Sequence, residues 1–189
     1  MLVVGGPNGA GKTTFAREYA LVSRFTYLGA DAIAESIAPD DPASARFDAG
    51  RQFIQSVDDH LSTQQSLVVE TTLSGLTFRH NITKAIQLGF DVSIAYLFLD
   101  SADACVARVA ERVRKGGHDV PETDIRRRFA RSVTNFWTTY REMADSWVLL
   151  YNGAGKLQDV AAGSNELTAI RDTTLFSDFM TIVGTPNDD

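Results

Sequence analysis

The sequence predicts one α/β domain with a mainly parallel central sheet, and three observations predict it. Gly6-Pro7-Asn8-Gly9-Ala10-Gly11-Lys12-Thr13-Thr14 matches the phosphate-binding pattern G-x-x-x-x-G-K-[ST] in full. It lies between the apolar run Leu2-Val3-Val4 and an amphipathic stretch, the strand-to-helix context the pattern needs. Further short apolar runs at 25–28, 66–70, 92–99 and 147–151 alternate with segments of helical periodicity. At 189 residues and 44% hydrophobic content the chain can bury the core of such a domain without a second one.

The loop chemistry follows from the residue types. Glycines let the backbone fold closely around phosphate with its N–H groups turned inward, and the helix that follows adds its positive N-terminal end. Lys12 would reach the β- and γ-phosphates, and Thr13 would offer a hydroxyl to Mg²⁺, a cation that takes few protein ligands. The plainer alternative is a glycine-rich strand-to-helix turn, which explains neither Lys12 nor Thr13.

Charge and composition narrow the function further. A formal net charge of −6 argues against a protein that wraps long nucleic acid, which needs a broad basic surface. No apolar run approaches the ~20 residues of a membrane span, and the first residues read as a strand rather than a leader peptide, so the cytoplasm is the expected location. Cys105 is the single cysteine, which excludes an internal disulfide and a cysteine-based zinc cluster; its apolar helical setting suits a small core residue. Eight of the 18 Lys and Arg fall between Arg108 and Arg131, namely Arg108, Arg112, Arg114, Lys115, Arg126, Arg127, Arg128 and Arg131. In an acidic chain that cluster points to a local site for a small, highly charged anion, although any one of these side chains could equally belong to a solvated helix face.

Taken in order, a first helix is expected from Thr14 to about Val22 and a second strand over Phe25–Leu28. Gly29-Ala30-Asp31 follows at once. Ligands of open parallel sheets bind beyond the carboxyl ends of the strands, so Asp31 is placed on the same edge as the phosphate loop. There it could act as general base towards an attacking hydroxyl, or cap the short helix expected over Ala32–Ala38, or both. The turn cluster Pro39-Asp40-Asp41-Pro42 precedes a helix from Ala43 to about Gln64. Ser66–Glu70 reads as a buried strand ending in a carboxylate; Glu70 is a candidate for Mg²⁺ or for substrate, and Thr71 and Thr72 add hydroxyls suited to a polar substrate. A helix over Leu76–Leu88 closed by Gly89 leads to the strand Val92–Leu99, after which Asp100 is a second, lower-ranked candidate for the metal-side carboxylate.

Val106, Val109, Ala110 and Val113 then form an apolar stripe, with Arg108 and Arg112 sharing a face. Gly116–Pro121 breaks the pattern, and a long helix is expected from Glu122 to about Ala144. Two basic helices joined by a glycine-containing segment make a lid able to exclude water and bring arginine to developing charge. His118 within that segment, taken alone, is more often structural than catalytic. Trp147–Tyr151 reads as a fifth strand with a turn at Asn152-Gly153, Leu157–Ala161 as a shorter sixth, and Glu166–Met180 as a helix before a frayed polar end at 186–189.

Together these motifs resemble the zeta-toxin-like branch of the P-loop kinases. The resemblance runs from about Leu2 to Gly163. It rests on Gly6–Thr14, Gly29-Ala30-Asp31, Glu70-Thr71-Thr72-Leu73-Ser74-Gly75, and above all on the run from Arg108 to Pro121 with Ile125-Arg126-Arg127-Arg128-Phe129. It implies a kinase domain over 1–163 with a lid at 108–131, and a helix and polar tail of the same domain over 164–189. It also implies a central sheet in the order 2-3-1-4-5, ATP with Mg²⁺ as phosphoryl donor, and a nucleotide sugar such as UDP-N-acetylglucosamine as acceptor. Asp31 matches the residue that activates the acceptor hydroxyl, and Lys12 matches the loop lysine. Glu70, Thr71 and Thr72 fall in the segment that contacts the sugar nucleotide, with Thr13 and Glu70 on the metal side. Arg112 is the implied arginine on the transferring phosphate, with Arg108, Arg114, His118, Arg126, Arg127 and Arg128 as further lid contacts. Where zeta toxins carry a second lid arginine before a Thr-Pro pair, this sequence has His118 before Val120-Pro121, so Arg126–Arg128 are candidates to replace it. An antitoxin-like protein is an implied candidate partner. Two other readings stay open: a kinase of another metabolite or antibiotic-like alcohol, and a non-catalytic ATP-dependent switch.

Overall fold

In the computed structural model, which describes residues 1–153, 156–164 and 168–184, one seven-stranded sheet forms the centre of the molecule. Its strands are β1 Leu2–Gly5, β2 Thr26–Gly29, β3 Leu67–Thr71, β4 Ser93–Phe98, β5 Ser146–Tyr151, β6 Gln158–Gly163 and β7 Thr168–Ile170, in the spatial order β2-β3-β1-β4-β5-β6-β7. The first five are mutually parallel, and β6 and β7 add an antiparallel edge. The order 2-3-1-4-5 expected from the resemblance is therefore present, extended by two strands.

Strand alternation sorts the core onto two faces. Val3, Val69, Ile94, Tyr96 and Phe98 belong to one apolar cluster, whereas Val4, Val68, Ala95 and Leu97 belong to the other. The second face is covered by α1 (Lys12–Ser23) and α5 (Ala102–Arg114), through Ala16, Ala20, Cys105 and Val109. The first face is covered by α3 (Arg46–Ser62), α4 (Arg79–Gln87) and the C-terminal helix α8 (Thr173–Gly184), which places Phe179 wholly inside. Cys105 is buried, and burial pushes its thiol up to about 12, so it packs as a small apolar side chain.

Helix α6 (Glu122–Asn135) is organised differently. Its first turns place Ile125 and Phe129 in the second cluster, but Val133 and the following Phe136 and Tyr140 lie in the first. The helix thus passes from one face of the sheet to the other, across the carboxyl ends of the strands. The expected uninterrupted helix to Ala144 is broken by a π-helical turn at Phe136–Tyr140, followed by α7 (Arg141–Met143). The wider turn keeps Phe136 and Tyr140 both buried; Phe136 stacks on Tyr96 at 4.1 Å between ring centroids.

The expected helix over Glu166–Met180 is corrected: Thr168–Ile170 is a strand paired with β6, and α8 begins at Thr173. Glu166 and the tail at 186–189 lie outside the described residues. Among the described residues no helix is long and apolar enough to cross a membrane.

Candidate active site

The carboxyl edge of the sheet opens into a cavity of about 360 Å³. Three kinds of wall enclose it. The loop between β1 and α1 contributes Asn8, Gly9, Gly11, Lys12, Thr13 and Thr14; the ends of β2 and β3 contribute Asp31, Glu70, Thr71 and Thr72; α5 and α6 contribute Arg108, Arg112 and Arg128. Phe53 of α3 supplies an aromatic surface. Four cationic side chains thus face two carboxylates, a balance suited to an anionic ligand.

The loop already holds the conformation that phosphate requires. Gly11, at φ +91°, is the residue before α1, and no side chain caps the helix or places an acid in its first turn. The first amides of α1 are left for a ligand. A Cβ on Gly11 would meet Asn152 Nδ2 at 2.5 Å, and that amide donates to the Ala10 carbonyl at 2.9 Å, so the β5–β6 turn braces the loop from the side. Lys12 is buried and donates to the loop's own Pro7 carbonyl at 2.9 Å. Burial lowers its pKa from the usual lysine value, and the carboxylates of Glu70 and Asp31 oppose that shift.

Glu70 sits near the end of β3, opposite Val4 and Gly29 of its neighbours. Its Oε1 accepts from Thr13 Oγ1 at 2.9 Å and its Oε2 from the Tyr27 hydroxyl at 2.6 Å. The two oxygen ligands expected for a hard cation, Thr13 and Glu70, are therefore adjacent in the cavity. This donor set fits Mg²⁺, which fills its remaining positions with water and phosphate oxygens. Asp100 is elsewhere: both its oxygens accept from the Tyr151 hydroxyl, at 2.7 and 2.9 Å, and it does not line the cavity. Asp31 lies in the first turn of α2 (Ala30–Ile37), whose N-cap is Gly29. It is exposed to the cavity and makes no hydrogen bond with the described residues, so the capping alternative is not what its carboxylate does.

The basic helices divide into two groups. Arg108 donates to the carbonyls of Asn152 and Gly153, at 2.6 and 2.9 Å, and Arg112 donates to the His118 carbonyl at 2.7 Å while its buried Nε has no partner among the described residues. Both line the cavity, as does Arg128, which pairs with Asp124 at 3.2 Å. Arg114, His118, Arg126 and Arg127 do not line it. Arg126 pairs with Asp103 and Glu122, each at 2.7 Å, and Arg127 with Asp124 at 2.8 Å, all at the surface.

Four further residues were not singled out from the sequence as site residues: Tyr27, Phe53, Asn152 and Ser132. Ser132 belongs to an anchor under the loop that follows β3. Its Oγ donates to the Thr72 carbonyl and shares a 2.7 Å hydrogen bond with Tyr96, Asn135 donates to the Leu73 carbonyl at 3.0 Å, and Tyr140 donates to the Gly75 carbonyl at 2.6 Å. The C-terminal half of α6 and its π turn thereby fix the loop after β3, including Leu73 at φ +54°.

The fold and this cavity define a P-loop protein with the sheet order of the P-loop kinases. Residues 1–133 match the AAA domain family AAA_33, and the chain belongs to it. A protein of Haemophilus influenzae, described as uncharacterized, is 31% identical over 124 residues, covering 66% of this chain and 88% of that protein. The AvrRxo1-ORF1:-ORF2 complex with ATP superposes with a TM-score of 0.75 at 14% identity over 100% of this chain, which spans 65% of that one. A structure of the PezAT chromosomal toxin–antitoxin system of Streptococcus pneumoniae gives 0.67 at 16% identity, over 99% of this chain and 79% of that one. A gluconokinase of Sinorhizobium meliloti gives 0.51 at 14% identity, over 96% and 90%. At these identities the likeness is one of fold.

Proposed function

We propose that the protein is an ATP- and Mg²⁺-dependent cytoplasmic kinase that transfers the γ-phosphoryl group to a hydroxyl of a small molecule, with a UDP-sugar such as UDP-N-acetylglucosamine as the leading acceptor. The observation that carries the reading is that Asp31, with no hydrogen bond among the described residues, shares one cavity with Lys12. In the reaction the acceptor hydroxyl gives its proton to the Asp31 carboxylate as its oxygen bonds to the γ-phosphorus, and the bond to the β,γ-bridging oxygen breaks to leave ADP. Lys12 exchanges the Pro7 carbonyl for phosphate oxygens, and the loop amides and α1 hold the β-phosphate. Thr13 and Glu70 would hold Mg²⁺, which supplies charge neutralisation between the phosphates. Arg112 is assigned to the transferring group, because its Nε is buried at the cavity wall without a partner among the described residues. Arg108 and Arg128 are the other lid cations placed for phosphate, and Thr71 and Thr72 face the acceptor.

Support for ATP and for a zeta-toxin-like subtype comes from the neighbours, one a complex with ATP and one a toxin–antitoxin system. An antitoxin-like protein partner belongs to the same reading. The acceptor rests on the resemblance in the motifs rather than on the cavity.

The test is acceptor-dependent ATP consumption with Mg²⁺ over a panel of nucleotide sugars, with mass spectrometry for one added phosphate. Asp31→Ala is expected to lower turnover by about 10²–10⁴-fold while nucleotide affinity is kept. Unchanged turnover in that variant would remove Asp31 from the role of base.

A further inference from the structure

Among the described residues, Tyr27 is the one side chain outside the motifs that hydrogen-bonds to Glu70, the proposed metal-side carboxylate. Its hydroxyl donates to Glu70 Oε2 at 2.6 Å, a charge-assisted contact, while Thr13 holds Oε1 at 2.9 Å. Glu70 is therefore gripped at both oxygens and cannot rotate without losing one donor. The grip depends on a missing atom. Gly29 lies directly opposite Glu70 in the β2–β3 register, and a Cβ there would sit 2.5 Å from the Tyr27 hydroxyl oxygen and 3.5 Å from Glu70 Oε2. Only glycine leaves the phenol room to reach the carboxylate. The guanidinium of Arg17 lies over the ring, 5.4 Å from its centroid.

Resting on the kinase reading above, we propose that Tyr27 is a positioning residue for the divalent cation: it fixes Glu70 so that Glu70 in turn fixes Thr13. A threonine hydroxyl whose proton is committed to Glu70 directs its lone pairs away from that carboxylate, as a hard cation needs. Second contacts that orient metal ligands have this effect at many metal sites. A tyrosine kept for packing alone would be replaced without loss by phenylalanine, which fills the same space beneath Arg17.

Calorimetric titration of the protein with a non-hydrolysable ATP analogue, in Mg²⁺ and in excess chelator, separates the two roles. Tyr27→Phe is expected to bind the metal-free analogue as the wild type does and to lose about tenfold of the affinity gained on adding Mg²⁺, the scale of one hydrogen bond to a charged group. In a Glu70→Ala background the same change should cost nothing more. An undiminished Mg²⁺-dependent gain in Tyr27→Phe overturns the inference, and so does a loss that persists in Glu70→Ala. A wild-type protein that binds the analogue with no Mg²⁺-dependent gain overturns it together with the metal assignment, while nucleotide binding itself, read from the metal-free titration, stands.

Discussion

The cavity has a loop side and a lid side, and they are held in different ways. On the loop side the functional groups are buried or half-buried and restrained by short hydrogen bonds: Lys12 on the Pro7 carbonyl, Thr13 on Glu70, and Tyr27 on Glu70. On the lid side the arginines either grip backbone carbonyls, as Arg108 and Arg112 do, or pair with acids of α5 and α6, as Arg126 and Arg127 do. On the kinase reading both sides exchange a partner to engage phosphate, Lys12 leaving the Pro7 carbonyl and Arg112 the His118 carbonyl, but the loop side adds the main-chain amides at the start of α1, which no side chain caps. The largest expected effect accordingly falls on the loop. Lys12→Ala should weaken nucleotide binding by about 100-fold, the value of one strong charge-assisted contact, with little change in the thermal midpoint. Calorimetry and a melting curve on the same sample measure both. Equal loss of fold and binding would mean that the loop is structural rather than a ligand site.

Ser132 tests the boundary between the two sides. It lies on the same helix as Arg128, yet it donates to the Thr72 carbonyl and bonds to the Tyr96 hydroxyl inside the core. Ser132→Ala leaves both groups without that partner and should cost about 1–3 kcal/mol of stability, measured by denaturant unfolding. Because the loop after β3 is the one released, acceptor KM should rise while nucleotide affinity holds. The lid expected over 108–131 would then move about a point before Ser132, since Ser132, Asn135 and Tyr140 are tied to the loop after β3.

The readability of these parts in the sequence followed their locality. The phosphate loop was legible because its pattern is contiguous, and Asp31 and Glu70 because each ends a short apolar run. Tyr27 was not, since its contact exists only through the β2–β3 register and the missing Cβ of Gly29. Asn152, 142 residues from the Ala10 carbonyl that it braces, could be read only as a turn residue. The π turn at Phe136–Tyr140 was hidden because its sequence continues the helical periodicity, and the wider turn is favoured by the stacking of Phe136 on Tyr96. Thr168–Ile170 is a strand by virtue of pairing with β6, a tertiary effect that overrides local pattern. Among the arginines, helical spacing identified a common face but could not say which acids stood nearby.

The smallest expected effect sharpens that last point. Arg126 and Arg128 are two positions apart in one run of three arginines, and charge alone cannot rank them. Position does. Arg128 lies on the turn where α6 crosses the strand ends and faces the cavity, whereas Arg126 points to the surface and is claimed by both Asp103 and Glu122. Exposed pairs of this kind add little to stability and are screened by salt. Arg126→Ala should therefore leave nucleotide affinity, acceptor KM and the thermal midpoint where they are in the wild type, at low and at high salt alike. A clear rise in either binding constant would mean that the Asp103 and Glu122 pairs give way when ligand binds. The lid would then draw on the whole arginine run, and the division between its inward and outward members would belong to the unliganded state alone.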